Sequence, residues 1–271
     1  MRVVKTTEEI ETMKKSAQIA SHAHILAMQK TKPNLYEYQI EGEILNMFMQ
    51  LGAKEPAYHS IVASGDNACT LHYTNNNAQM KDGDLLLIDA GCELDLYASD
   101  ITRTYPINGK FSHSQKIIYE LVLDAQKNAI DEVQPGNKFD QPHKAALKTL
   151  AQGLIDLNLC KGSLDQVLDQ KLYHKFFMHR TSHWLGLDVH DVGDYTDDLG
   201  KPVSLKRGNV LTIEPGIYIS PSEFIPKEFW GIGVRIEDDV AVTDIGHDVL
   251  SSKAPKEIAD LEKIIGTWNE K

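Results

Sequence analysis

The feature that constrains this chain most is an eleven-residue pattern that occurs twice. Lys81-Asp-Gly-Asp-Leu-Leu-Leu-Ile-Asp-Ala-Gly91 aligns with Lys206-Arg-Gly-Asn-Val-Leu-Thr-Ile-Glu-Pro-Gly216. The Lys, the first Gly, one Leu, the Ile and the last Gly match, and an acid, Asp89 or Glu214, stands at the same place in both. In the first copy Leu85–Ile88 is an unbroken apolar run between turn formers, which reads as a strand buried on both faces. A carboxylate at the end of such a strand is costly to bury unless positive charge sits beside it. A strand that twice delivers an acid to one point predicts a sheet in two related halves, built around a cation.

The rest of the pattern fits an α+β domain. Thr6 or Thr7 ahead of Glu8-Glu9 predicts a capped helix running to about Lys30, before Pro33. A second helix, about Glu37 to Leu51, places Ile40, Ile44, Leu45 and Phe48 on one stripe. Ile61–Ser64 is a short strand, and after Gly91 a hairpin turns near Leu94-Asp95 and returns through Leu96–Tyr105. Helices follow from Ser112 to about Val133 and from about Asp140 to Leu159. Strands are expected at Val210–Glu214 and Gly216–Ile219 and twice within Gly231–Val242, then a last helix from about Pro255 to Trp268. Helices, strands, helices, strands, without a linker, fit one domain of residues 1–271 whose halves repeat.

Composition narrows the function. The net charge of −11 argues against a partner held by its phosphates, so no nucleic acid is expected. Cys69, Cys92 and Cys160 are odd in number and form no paired spacing, which fits structural thiols in a reducing compartment, the cytoplasm. The N-terminus carries no signal-peptide pattern and no apolar run is long enough for a membrane span.

The chemistry concentrates in acids and histidines. With a turn at residues 94–95, Asp89 and Asp100 fall directly opposite each other, a spacing at which like charges repel. Such a pair needs a cation or a shared proton. Glu237 shares a strand face with Arg235, which can hold a carboxylate by charge-assisted hydrogen bonds. His179, His183 and His190 crowd one Gly- and Val-rich segment that reads as loop or strand. One imidazole among four carboxylates suits hard, oxygen-preferring ions: Mn²⁺ first, with Co²⁺, Fe²⁺ or Zn²⁺ also able to bind. Four acids over-neutralise one divalent ion, so two are expected, bridged by two carboxylates. Two such ions would activate a bridging water and clamp a carbonyl oxygen, while the remaining histidines and His72 stabilise the tetrahedral intermediate. Amide hydrolysis follows as the reaction class. Tyr218, near Glu214, suits hydrogen bonding in the site or packing.

These residues resemble the pita-bread metallopeptidase family of methionine aminopeptidases, prolidases and Xaa-Pro aminopeptidases. Leu87-Ile-Asp89-Ala-Gly, Asp100-Ile-Thr-Arg-Thr, Ser182-His183, Thr212-Ile-Glu214-Pro-Gly and Arg235-Ile-Glu237-Asp each match a ligand-bearing motif. The resemblance implies a pita-bread fold with pseudo-twofold halves around a curved antiparallel sheet. It implies metal ligands Asp89, Asp100, His183, Glu214 and Glu237, with Asp100 and Glu237 bridging. Glu214 would also handle the proton of the attacking water, and His72, His179 and His190 would face the substrate, His190 at the scissile peptide.

Arg-Ile-Glu-Asp-Asp and Ser-His-Trp-Leu-Gly-Leu-Asp-Val-His-Asp-Val-Gly resemble the bacterial Xaa-Pro aminopeptidase branch, which removes a residue preceding proline. A dipeptidase or methionine aminopeptidase specificity is the alternative, and a metal-free binding module a further one. Homo-oligomers are expected in such a branch. Two departures stand out. Arg180 occupies a place where the family commonly has Gly, which would strain the backbone at positive φ or place a new side chain at the substrate mouth. The N-terminal domain usual in the branch is expected to be absent, so the chain reads as a naturally short member or a catalytic-domain piece.

Overall fold

Helix formation at the start follows from local chemistry. In the computed structural model, which describes residues 2–268, α1 (Thr7–Lys30) begins at Thr6, whose hydroxyl accepts from Glu9 N while the Glu9 carboxylate accepts from Thr6 N. That reciprocal pair satisfies two donors which a helix start leaves open. The ends of the expected domain, Met1 and 269–271, lie outside the described residues. Next come α2 (Glu37–Gln50), β1 (Glu55–Pro56), β2 (Ile61–Ser64), β3 (Leu85–Asp89), β4 (Cys92–Leu94), β5 (Tyr97–Ala98) and β6 (Thr102–Pro106). The middle is helical, with α3 (His113–Asp131), α4 (Gln141–Asp156) and α5 (Leu164–Asp169). The chain closes with β7 (Val210–Ile213), β8 (Gly216–Ile219), β9 (Ile232–Arg235), β10 (Asp238–Val242), β11 (His247–Val249) and α6 (Ile258–Ile264).

The two halves are visible as two three-stranded antiparallel sheets, β2-β3-β6 and β11-β10-β7. The repeated Lys-x-Gly sets the same turn ahead of β3 and β7: Gly83 and Gly208 both have φ +86°, a conformation that costs glycine little. Glu237 N donates to Thr102 O at 3.0 Å and Thr104 Oγ1 to Arg235 O at 3.0 Å, which ties β6 of one half to the β9–β10 junction of the other. Apolar side chains of β3 and β7 are buried, with α1, α2, α3 and α4 contributing to one continuous core. The acids therefore emerge from strand ends fixed by packing on the sheet faces.

Three expectations need correction. The hairpin turns at Asp95-Leu96, both left-handed at φ +49° and +73°, so Asp89 faces Thr102 and not Asp100. Asp100 is two positions away on the same face, a diagonal neighbour of Asp89. Helix α4 stops at Asp156, and Asn158 at φ +57° turns the chain out of the helix before Leu159. The last helix is confined to Ile258–Ile264, because 251–254 form turns, with Ala254 N bonding to Ser251 O.

Candidate metal centre

The strand ends and one loop converge on a cavity of about 410 Å³. Asp89, Asp100, His183, Glu214 and Glu237 all line it, as do His72, His179, His190 and Arg235, so every residue expected in the site is brought to one place. β3 delivers Asp89 and the equivalent β7 delivers Glu214. The loop bearing His183 is pinned along β7, with Thr212 N bonding to His183 O at 3.0 Å and Glu214 N to Thr181 O at 2.8 Å. No long-range accident is needed to bring His183 to Glu214: the loop lies alongside the strand.

Among the described residues Asp100, His183 and Glu237 form the tightest group, each offering a ligand atom within 4.8 Å of the others. Glu214 joins through His183, Oε1 to Nε2 at 3.6 Å, and Asp100 Oδ2 lies 3.3 Å from the same Nε2. Asp89 joins through Tyr58, whose phenol oxygen is 2.6 Å from both Asp89 Oδ1 and Asp100 Oδ1. Arg235 meets Asp89 Oδ2 at 2.6 Å.

Electrostatics set this cluster apart. Burial pushes Glu237 well above the usual carboxylate range, with the charges of Asp100, Glu214 and Asp89 adding to it. Burial likewise raises Glu214 to about 7, helped by Asp100 and opposed by His183, and it raises Asp100, with Asp89 adding to the shift. Burial works against the charge on His183, but its hydrogen bond to Asp100 and the charges of Asp100 and Glu214 prevail and lift it to about 9. Four carboxylates face one arginine and one imidazole, so the cluster holds protons because it is short of positive charge.

The donor set suits divalent ions. His183 Nδ1 lies 3.0 Å from Trp184 O, and a carbonyl can only accept, so Nδ1 carries the hydrogen. This points Nε2 at Asp100 and Glu214, the orientation in which a backbone carbonyl fixes a metal-binding imidazole, and Nε2 would give up its proton on binding an ion. Oxygen-rich sites with one imidazole fit hard divalent cations.

A second network lies beside it. Arg235 NH1 donates to Tyr218 Oη at 3.0 Å, and Tyr218 Oη lies 2.8 Å from His179 Nε2. His179 Nδ1 is 2.8 Å from Arg180 O, so Nδ1 carries the hydrogen and Nε2 accepts from Tyr218. Burial, then the nearby Arg235 charge, lowers His179 to about 3, so it is a neutral imidazole. Burial and the proximity of His183 lower His190 as well; the two rings meet edge to face at 4.4 Å. His72 is exposed at the mouth.

Several participants were missed in the sequence. Tyr58, Thr102 and Asp239 carry no periodic signal, yet Thr102 Oγ1 serves both Arg235 and Glu237, and Asp239 accepts from Asp100 N. Tyr218, which suited either role, does both: it is buried and hydrogen-bonded. Arg180 does not have positive φ, so it is unstrained, and its side chain lines the cavity.

The comparisons with known proteins agree with this geometry. The sequence profile of metallopeptidase family M24 matches residues 11–244. An Xaa-Pro aminopeptidase of Haemophilus influenzae is 51% identical over 265 residues, 98% of this chain and 61% of that protein. The structure of aminopeptidase PepP from Pseudomonas aeruginosa superposes with a TM-score of 0.96 at 49% identity, over 97% of this chain and 60% of that one. A zinc-substituted Escherichia coli aminopeptidase P in complex with product gives 0.94 at 44%, with the same coverage. The chain thus spans about three-fifths of the length of these relatives. Its fold is the pita-bread fold that the motifs implied. The chain belongs to metallopeptidase family M24.

Proposed function

We propose that this chain is the catalytic domain of a two-metal aminopeptidase that releases an N-terminal residue preceding proline. The observation that carries the reading is the meeting of Asp89, Asp100, Glu214, Glu237 and His183 on one cavity with too little positive charge to balance them. The Haemophilus influenzae relative, an Xaa-Pro aminopeptidase by name, supports the specificity. Those five residues would hold two divalent ions, manganese by preference on the oxygen-rich donors. Bound there, the ions would polarise the scissile carbonyl and lower the pKa of an attacking water.

The remaining chemistry belongs to the chain. Arg235 fixes Asp89 by a charge-assisted bond and orients Tyr218, which in turn aligns His179. His179 is neutral and hydrogen-bonded at both nitrogens, so it keeps one orientation against the substrate. Glu214, with its carboxyl near neutrality, is suited to take a proton from the attacking water and return it to the leaving amine. His72 and His190 stand at the open side, where donors to the developing oxyanion are needed. The thiols are free, in keeping with a cytoplasmic enzyme.

The test is release of the first residue from Gly-Pro-Ala by protein reconstituted with Mn²⁺, followed by chromatography, with Gly-Pro and Met-Ala-Ser as competing substrates. Release confined to Gly-Pro-Ala, and lost in Asp100→Ala, supports the assignment. Preference for Gly-Pro points to a dipeptidase, preference for Met-Ala-Ser to a methionine aminopeptidase, and no release from any of them to a binding module.

A further inference from the structure

The cavity has two electrically different ends. Its floor carries the four acids, where Arg235 is committed to Asp89 at 2.6 Å and His183 lies 3.3 Å from Asp100. Its mouth carries Arg180, which is exposed and, among the described residues, has no carboxylate within ion-pair distance. Among the described residues, Arg180 is the one cation of the lining left uncommitted.

The mounting of this side chain is rigid at its base. The carbonyl of Arg180 accepts from His179 Nδ1 at 2.8 Å, and the next carbonyl, of Thr181, accepts from Glu214 N at 2.8 Å. Both peptide groups are therefore tied to residues of the site. Part of the lining is aromatic: Phe139 packs on Trp184 with ring centroids 4.6 Å apart and on Tyr195 at 4.7 Å, and Phe139 and Tyr195 line the cavity. A peptide entering the cavity would meet both an apolar surface and a guanidinium. Its ammonium end would be drawn to the acidic floor, its carboxylate to the mouth.

We propose that Arg180 is a specificity-determining residue that binds a carboxylate of the peptide on the leaving side of the scissile bond. The guanidinium fork matches a carboxylate in two parallel hydrogen bonds, a pairing that lysine can only approximate as a point charge. The carboxylate can be the C-terminus of a short peptide or an acidic side chain following proline. The inference rests on the peptidase reading and deepens it, since it names which Xaa-Pro peptides are preferred.

The experiment compares kcat/KM for Gly-Pro-Ala, Gly-Pro-Ala amide and Gly-Pro-Glu amide with Mn²⁺-loaded wild type, Arg180→Gln and Arg180→Lys. A surface-accessible ion pair gives about a two- to fivefold preference for a carboxylate-bearing peptide over Gly-Pro-Ala amide. That preference should lie mainly in KM, shrink as salt rises, fall to about one in Arg180→Gln, and return in part in Arg180→Lys. Preference for Gly-Pro-Ala identifies the terminal carboxylate as the group bound, and preference for Gly-Pro-Glu amide the side chain. Hydrolysis of all three peptides at equal efficiency, or a preference that survives in Arg180→Gln, overturns the role of Arg180 and leaves the peptidase reading standing. No hydrolysis of any of them by the wild type overturns both.

Discussion

Glu237 and Asp238 are neighbours in the chain, equally buried, and opposite in electrostatic character. The Asp238 carboxylate accepts from Arg103 NH2 at 2.7 Å, Lys256 Nζ at 2.7 Å, Gln126 Nε2 at 2.6 Å and Ser251 Oγ at 2.6 Å. Burial works against its charge, but Arg103 and Lys256 outweigh it and hold the carboxyl far below its usual range. Glu237 has one hydroxyl, that of Thr102, and faces three other acids, which with burial hold it well above that range. Burial is common to both, so the number of positive partners decides. On one side of this strand start the chain neutralises its own acid, and on the other it leaves the neutralising to a cation from outside.

Removing each carboxylate should therefore have opposite signs, and Asp238→Asn should give the larger effect. It leaves the fully buried Arg103 guanidinium without a full counter-charge, a loss of about 3–5 kcal/mol. Urea unfolding in a chelator at pH 7 measures it, and a loss below about 1 kcal/mol would break the comparison. Glu237→Gln, in the same assay, should raise stability by on the order of 1 kcal/mol, because glutamine needs no proton taken up on folding. Adding Mn²⁺ reverses the order. At a hundredfold excess over its Kd, the ion should stabilise the wild type by about 2.7 kcal/mol and Glu237→Gln much less. If metal stabilised both proteins alike, Glu237 would not be a ligand.

This contrast shows how far the sequence could be read. The acids, their strand and the repeated turn were legible because each depends on local chemistry: the apolar run ahead of Asp89 and the glycine that takes φ +86° in both copies. The register of Asp89 against Asp100 was not. It depends on Leu96 adopting a left-handed conformation, which a leucine gives no reason to expect, although its exposure here leaves the side chain without a clash in the core. Nor was the meeting of the halves legible, because the Thr102–Glu237 bridge joins residues whose neighbours in sequence hold no sign of each other. Asp238 shows the same limit. Its partners Arg103, Gln126, Ser251 and Lys256 come from four separate segments, so nothing near Asp238 in sequence distinguishes it from its ligand neighbour.

The pH dependence sharpens the comparison. In metal-free protein Glu214, raised from 4.5 to about 7, contributes stability that is full below pH 4.5 and lost as pH rises through 7. Asp238, depressed, contributes stability that is present above the ordinary carboxylate value and lost only in stronger acid. His24 and His143, lowered by burial from 6.5 to about 4, contribute stability above pH 6.5 that is lost toward pH 4, so they oppose Glu214 in its own window. Comparing wild type with Glu214→Gln cancels them. The advantage of Glu214→Gln should grow between pH 5 and pH 8 by on the order of 1–3 kcal/mol. An advantage that does not change with pH would mean that Glu214 is neutralised within the fold, as Asp238 is.

The smallest expected effect tests the contrast at single hydroxyls. Tyr58 has one phenolic hydrogen and two carboxylate oxygens at 2.6 Å, so it can donate to only one of Asp89 and Asp100. The other contact needs a proton on the carboxyl itself, and burial with the neighbouring Asp89 charge does raise Asp100. Ser251 donates to an Asp238 oxygen that already has Arg103, while the second oxygen has Lys256 and Gln126. Tyr58→Phe removes the one neutral donor that, among the described residues, the two acids share, and should cost the metal-free protein about 1 kcal/mol. It should also weaken Mn²⁺ binding by about tenfold, since Tyr58 helps set where those ligands point. Ser251→Ala should lower stability by a similar or smaller amount and leave Mn²⁺ affinity unchanged, because the Asp238 network serves the fold. Calorimetric titration of both variants with Mn²⁺ separates the two sides, and equal affinities would show that the two buried acid networks are not divided as their charges indicate.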